Sequence, residues 1–176
     1  MNQNIPSLDL VEFIETKILP QYAAFDAAHN MEHVTRVIRH SLELVKVTGA
    51  DVNMVYAIAA YHDLGMSGPR AAHHINGGKI LASDARLKKW FSPEQLKVMR
   101  EAVEDHRASA SHAPRSIYGK IVAEADRDID IDTVIRRTIQ YGKISYYTHL
   151  QREREYRGYH HCCDGVAAGF SCAGNR

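Results

Sequence analysis

Apolar residues recur at helical spacing along most of the chain, and runs that alternate apolar with polar residues are scarce, so the pattern predicts helices. Ser7 is placed to cap a first helix, whose apolar positions Leu8, Val11, Ile14 and Ile18 precede an interruption at Pro20. Asn30 is placed to cap a second, with Val34, Val37, Ile38, Leu42 and Val45 as its buried stripe and Gly49 as its stop. Asp51 opens a third, with Val55, Ile58 and Ala59 inward. His62 and Asp63 stand at its end, where Gly65 and the Gly68-Pro69 pair break the pattern. A fourth is expected from about His74 to Trp90. Ser92-Pro93-Glu94, a cap followed by proline in the first turn, starts a fifth that runs to about His106. A loop from Ser109 to Pro114 leads to a helix through Ile117, Ile121, Val122 and Ala125 that ends near Asp126, and one more is expected from about Asp130 to Tyr147. Six or seven helices with short connections describe an all-α, single-domain helical bundle.

That domain is expected to occupy residues 1–159. The stretch from His160 to Arg176 is small-residue and glycine-rich without a sustained period, and reads as a poorly ordered tail. A hydrophobic share of 45% and a charged share of 24% are those of an ordinary globular protein. With 22 Lys and Arg against 21 Asp and Glu, the composition speaks against a large basic surface that grips nucleic acid. No apolar run approaches the roughly 20 residues that span a bilayer. The first residues carry no secretory pattern, and three cysteines between Cys162 and Cys172 make no disulfide framework, so the cytoplasm is the expected compartment.

The unusual count is histidine, 11 in 176 residues. His62 and Asp63 adjoin at the end of a run of apolar and small residues, where a carboxylate is costly to bury unless it is paired or binds a metal. His33 lies near the start of the preceding helix and Asp126 near the end of a later one. In an antiparallel bundle those ends share one side of the molecule, so four ligands can meet at one depth. Imidazole with carboxylate suits Zn, Mn, Fe, Co or Ni. Other clusters fit blander readings. Asp128, Asp130 and Asp132 lack the glycine and distal glutamate of a calcium loop, and His160, His161, Cys162 and Cys163 lack the spacer of a zinc knuckle.

Three segments carry a resemblance: His29-Asn-Met-Glu-His33-Val-Thr-Arg-Val, Ala60-Tyr-His62-Asp63-Leu-Gly and Ala123-Glu-Ala-Asp126-Arg. In order and context they resemble the HD-domain superfamily of metal-dependent phosphohydrolases, over roughly residues 25 to 150. The resemblance implies that His33, His62, Asp63 and Asp126 ligate one divalent ion. It further implies that histidines between the doublet and the last aspartate, here His74 (or its neighbour His73) and His106, can hold a second. The ion would be Mn, Mg, Fe, Co, Ni or Zn, in one or two copies. The implied activity is hydrolysis of a phosphate ester or anhydride, with a nucleotide as the small-molecule substrate, and Asp63 in the catalytic set. Apart from the resemblance, the tyrosines from Tyr141 to Tyr159 fit core packing or a homodimer surface, and position alone makes His29 a candidate proton donor or a partner behind the ligands. Arg36, Arg107, Arg115 and Lys120 are expected to bind the phosphate, Arg107 and Lys120 also to neutralise charge in the transition state. A regulatory domain that binds metal or nucleotide without turnover, and a di-iron oxygenase on the same scaffold, are the rival readings.

Overall fold

The computed structural model describes residues 5–26, 29–107 and 112–127. Among these, six α-helices and no strand are present: α1 (Leu8–Phe13), α2 (Met31–Thr48), α3 (Val52–Tyr61), α4 (His73–Ser83), α5 (Pro93–Asp105) and α6 (Ile117–Asp126). The fold is all-α. The helix expected from Asp130 to Tyr147 and the stretch from His160 onward lie outside the described residues.

α3 is the centre. Its residues from Met54 to Tyr61 are all buried, as a helix without a polar face must be when α2, α5 and α6 pack around it. Most caps sit where the sequence places them, but Ser7 before α1 makes no side-chain cap bond, and Leu8 is exposed while Leu10 is the residue of that helix that is buried. Asn30 Oδ1 accepts the His33 N–H at 3.1 Å, and Gly49, at φ 66°, closes α2 by donating to the Val45 carbonyl. Asp51 caps α3, Ser92 with Gln95 forms a capping box on α5, and Ser116 caps α6.

Two elements differ from expectation. α1 does not simply stop at Pro20; it widens into a π turn over Ile14–Ile18 and tightens into a 3-10 turn over Leu19–Ala24, which accepts proline near its start. The fourth helix ends at Ser83, not near Trp90. Asp84 turns extended, its carboxylate accepts the Arg86 N–H and the Tyr61 hydroxyl, and a separate 3-10 turn follows over Ala85–Lys89. Side-chain competition of this kind for backbone donors breaks a helix that apolar spacing alone would continue.

Glycines let α4 approach closely. A Cβ on Gly65 would collide with the His73 carbonyl oxygen, and one on Gly77 would stand 3.0 Å from the His62 carbonyl and 3.1 Å from Val103. The segment after Asp63 is thereby docked on the start of α4, and α4 on the end of α3.

Candidate metal centre

The end of α3, the start of α2 and the end of α6 converge on one buried point. His33 is the third residue of α2, so the Asn30 cap that starts the helix also fixes the height of this side chain. His62 and Asp63 follow directly on α3, and Asp126 closes α6. The Nε2 atoms of His33 and His62 are 3.2 Å apart. His33 Nε2 lies 3.3 Å from Asp63 Oδ2 and 3.2 Å from Asp126 Oδ1; His62 Nε2 lies 3.2 Å and 3.8 Å from the same two oxygens.

The separations among His33, His62 and Asp63 fit an ion, whereas Asp126, 3.8 Å from His62, is not part of that group. Donors at about 2.1 Å from a metal stand about 3.0 Å apart on an octahedral edge and about 3.4 Å on a tetrahedral one. Ring orientation agrees for His62, whose Nδ1 donates to the Ala59 carbonyl at 2.7 Å and leaves Nε2 its lone pair. His33 differs, because its Nδ1 faces Arg36 Nη2 at 3.1 Å. A guanidinium only donates, so this Nδ1 accepts and the ring proton stands on Nε2.

The second carboxylate oxygen of Asp63 faces another pair. Asp63 Oδ1 lies 3.7 Å from His73 Nε2 and 3.6 Å from His106 Nε2. Each of these rings also donates Nδ1–H to the carbonyl three residues back, His73 to Arg70 at 2.7 Å and His106 to Val103 at 2.5 Å. The donor atoms of His33, His62 and Asp63 form one group able to hold an ion, and those of Asp63, His73 and His106 a second. Asp63 belongs to both. Two ions sharing one bridging carboxylate fit this set, and its mixed imidazole and carboxylate donors suit Mn, Fe, Co, Ni or Zn.

Histidines and carboxylates set one another's charge in this cluster. Burial opposes charge on His33 and His62, yet the Asp63 and Asp126 carboxylates outweigh it and raise both above the ordinary histidine value of 6.5. Burial likewise opposes charge on Asp63, but His62, His106 and His33 hold its carboxyl well below the usual range. Asp126 is pulled down to about 2 against burial by His33, His62 and His106. His73 moves the other way, lowered by burial and by His106 beside it.

Several expected site residues need to be placed anew. Of the two adjacent histidines, the sequence favours His74 as the ligand; the structure turns His73 to Asp63. Neighbours on a helix point about 100° apart, and the start of α4 decides which one faces inward. His74 Nδ1 is enclosed without a hydrogen-bond partner, and burial together with Arg107 lowers its pKa. Arg115 is not turned to the site. It donates to Asp105 from its backbone N–H at 2.7 Å and from Nε and Nη2, and Nη2 reaches Glu104 at 2.9 Å and the Glu101 carbonyl at 3.1 Å. Lys120 is exposed, and six residues on α6 set it about 120° round the helix from Asp126. Neither is placed as a phosphate ligand. Arg107 lies beside His106 and donates to the Ala71 carbonyl at 3.2 Å, latching the turn before His73. His29 stands at the rim, its ring 6.0 Å from that of His33.

Two residues have parts that sequence reading did not give them. Asp26 accepts from His29 Nδ1 at 2.7 Å and from Arg70 at 3.3 Å. Asp105, buried one residue before His106, holds Arg115. The Glu104-Asp105-His106-Arg107 cluster was the only signal for the latter, and it pointed to the histidine.

Residues 30–129, more than half of the chain, match the family model described as the HD domain. No curated protein sequence matches. Among solved structures, the crystal structure of a predicted HD superfamily hydrolase from an uncultured Thermotogales bacterium is similar, with a TM-score of 0.57 and 19% identity. The match covers 88% of this chain and 93% of that one. At that identity the likeness speaks for the fold.

Proposed function

Because the chain belongs to the HD-domain family, we propose that it is a metal-dependent phosphohydrolase that cleaves a phosphate ester or anhydride, with nucleotides as the substrate class. The observation that carries this reading is Asp63, whose two oxygens each face a histidine pair within 3.7 Å. When bound there, divalent ions supply polarisation of the phosphoryl oxygen and lower the pKa of water.

The chain's own residues do the rest. His33, His62 and Asp126 complete one side of Asp63, and His73 and His106 the other. Asp26 accepts the Nδ1–H of His29 in its imidazolium form, from which Nε2 can pass its own proton to the leaving oxygen at the rim, leaving the neutral ring with Nδ1–H still on Asp26. Arg36, whose Nη2 faces His33 Nδ1, and Arg107, which donates to the Ala71 carbonyl, are the cations assigned here to phosphate. Beside His33 a cavity of about 490 Å³ is lined, among the described residues, by Met31, Glu32, Thr35, Arg36 and Arg39. That volume suits a small molecule, and its two arginines suit an anionic one.

The test is phosphate release from a panel of nucleotides and a generic phosphate ester. Metal-free protein receives Mg, Mn, Co, Ni, Zn or Fe(II) singly, beside Asp63→Ala. Turnover that needs a metal and vanishes in Asp63→Ala is the expected result. Metal bound through Asp63 without turnover on any phosphate would refute it. The same donors accept iron, so dioxygen uptake by the reduced iron form would then replace the hydrolytic reading.

A further inference from the structure

The carboxylate of Asp105 is fully buried and lies one residue before His106, yet it has no part in the metal centre. Its partner is Arg115, which comes from the approach to α6 and contacts it by the backbone N–H, by Nε at 3.0 Å and by Nη2 at 2.7 Å. The same guanidinium reaches Glu104 and the Glu101 carbonyl, so it spans the last turn of α5. A cation there also meets the negative end of the helix. Gly119 lets α6 press against this clamp, since a Cβ would come within 3.3 Å of Asp105 Cβ and 3.1 Å of Pro114.

The consequence falls on one half of the centre. His106 leaves α5 immediately after Asp105, and its Nε2 must stay near 3.6 Å from Asp63 Oδ1 to share an ion. Without the Arg115 side chain the buried carboxylate has no countercharge among the described residues and must take up a proton or reach water. The last turn of α5 also loses the group that ties Glu101, Glu104 and Asp105 to the approach to α6, so this turn shifts. That motion carries His106 away. His33, His62 and Asp126 stand on α2, α3 and the far end of α6, which keeps its Ser116 cap and its buried Ile121, Val122 and Ala125.

We propose that Arg115 is a positioning residue for the second ion: by clamping the buried Asp105 carboxylate, it holds His106 at bridging distance from Asp63. The proposal rests on the two-ion reading of the centre.

Mn²⁺ titration of the metal-free full chain, followed by calorimetry and by the spin-coupled EPR signal of a Mn pair, tests it with Arg115→Lys and Arg115→Met. Wild type is expected to take two ions. In the variants the first ion binds as before, while the second weakens about tenfold in Arg115→Lys and toward about a hundredfold in Arg115→Met, the range seen when outer partners of a ligand are removed. Turnover of a phosphate ester falls at low Mn²⁺ and recovers at high Mn²⁺, with KM for the ester unchanged. If Arg115→Met does not fold, Arg115→Lys decides alone. A second ion bound as in wild type overturns the proposal, and a raised KM beside it would make Arg115 a substrate contact. Wild type that takes one ion removes the two-ion reading and the proposal together; wild type and variants that take the second ion with the same affinity remove only the proposal.

Discussion

Gly65→Ala is a one-methyl test of how the second half of the centre is held. The added Cβ would stand 2.5 Å from Gly77 N and 2.8 Å from the His73 carbonyl carbon, besides colliding with the His73 oxygen. Ordinary contact needs about 3.4 Å, so the two segments must part by at least roughly 0.9 Å, because the clash with the His73 oxygen is closer than either of these. α3 is buried from Met54 to Tyr61, whereas His73 is half-buried, so the start of α4 is the side that yields. Asp63 Oδ1 and His73 Nε2, now 3.7 Å apart, would then stand at about 4.6 Å if the shift runs along the line between them. Two donors on opposite sides of one ion span at most about 4.2 Å, so His73 drops out as a ligand. Overpacking of this size costs about 1–3 kcal/mol, or a fall of about 2–4 °C in Tm per kcal/mol in a chain of this length. Calorimetric titration with Mn²⁺ and thermal melting of the metal-free protein measure both effects. The expected outcome is one tight ion, a weakened second and a lower Tm. A variant that binds two ions with wild-type affinity and melts within about 1 °C of wild type would refute the close-approach reasoning.

Three further outcomes are expected. Tyr22→Phe removes a buried hydroxyl that donates to the Ala60 carbonyl at 2.9 Å and accepts the Asp63 N–H at 3.4 Å; denaturant unfolding should show a loss of about 1–2 kcal/mol, and an unchanged midpoint would mean that this support under Asp63 is idle. In metal-free protein, the lowered Asp63 and Asp126 contribute stability that is present above their unfolded value near 4 and lost as pH falls toward about 2. The raised His33 and His62 contribute below 6.5 and lose it as pH rises through their folded values. Tm measured in chelator should therefore peak between about pH 4 and 6.5, and bound Mn²⁺, which displaces those protons, should move the optimum upward; a chelated protein most stable near pH 8 would contradict the assignment. Arg36→Met should tighten the first ion several-fold in a competition titration, because the guanidinium keeps the His33 proton on Nε2, where the ion must bind; weaker binding would show that Arg36 supports the ligand.

The sequence by itself determined the helical class and most of the helix ends, and it singled out His33, His62, Asp63 and Asp126 as candidate ligands, which the fold brings near one another. Helical periodicity and cap chemistry are local, so Asn30, Gly49, Asp51 and Ser92 mark their helix ends without reference to anything distant. The doublet His62-Asp63 was legible because a carboxylate beside a histidine at the end of an apolar run has few other uses. Packing alone decided the rest. Whether His73 or His74 faces Asp63 depends on where α4 begins, a choice of one residue that Gly65 and Gly77 settle by contact. Arg115 reads as a free cation in sequence and becomes a clamp only when the turn before α6 meets the end of α5. Asp84 ends the fourth helix because the Tyr61 hydroxyl reaches it across 23 residues. Spacing gives the direction of a side chain around its own helix, whereas the neighbour that side chain meets is set by the long-range contacts among helices that only the tertiary structure supplies.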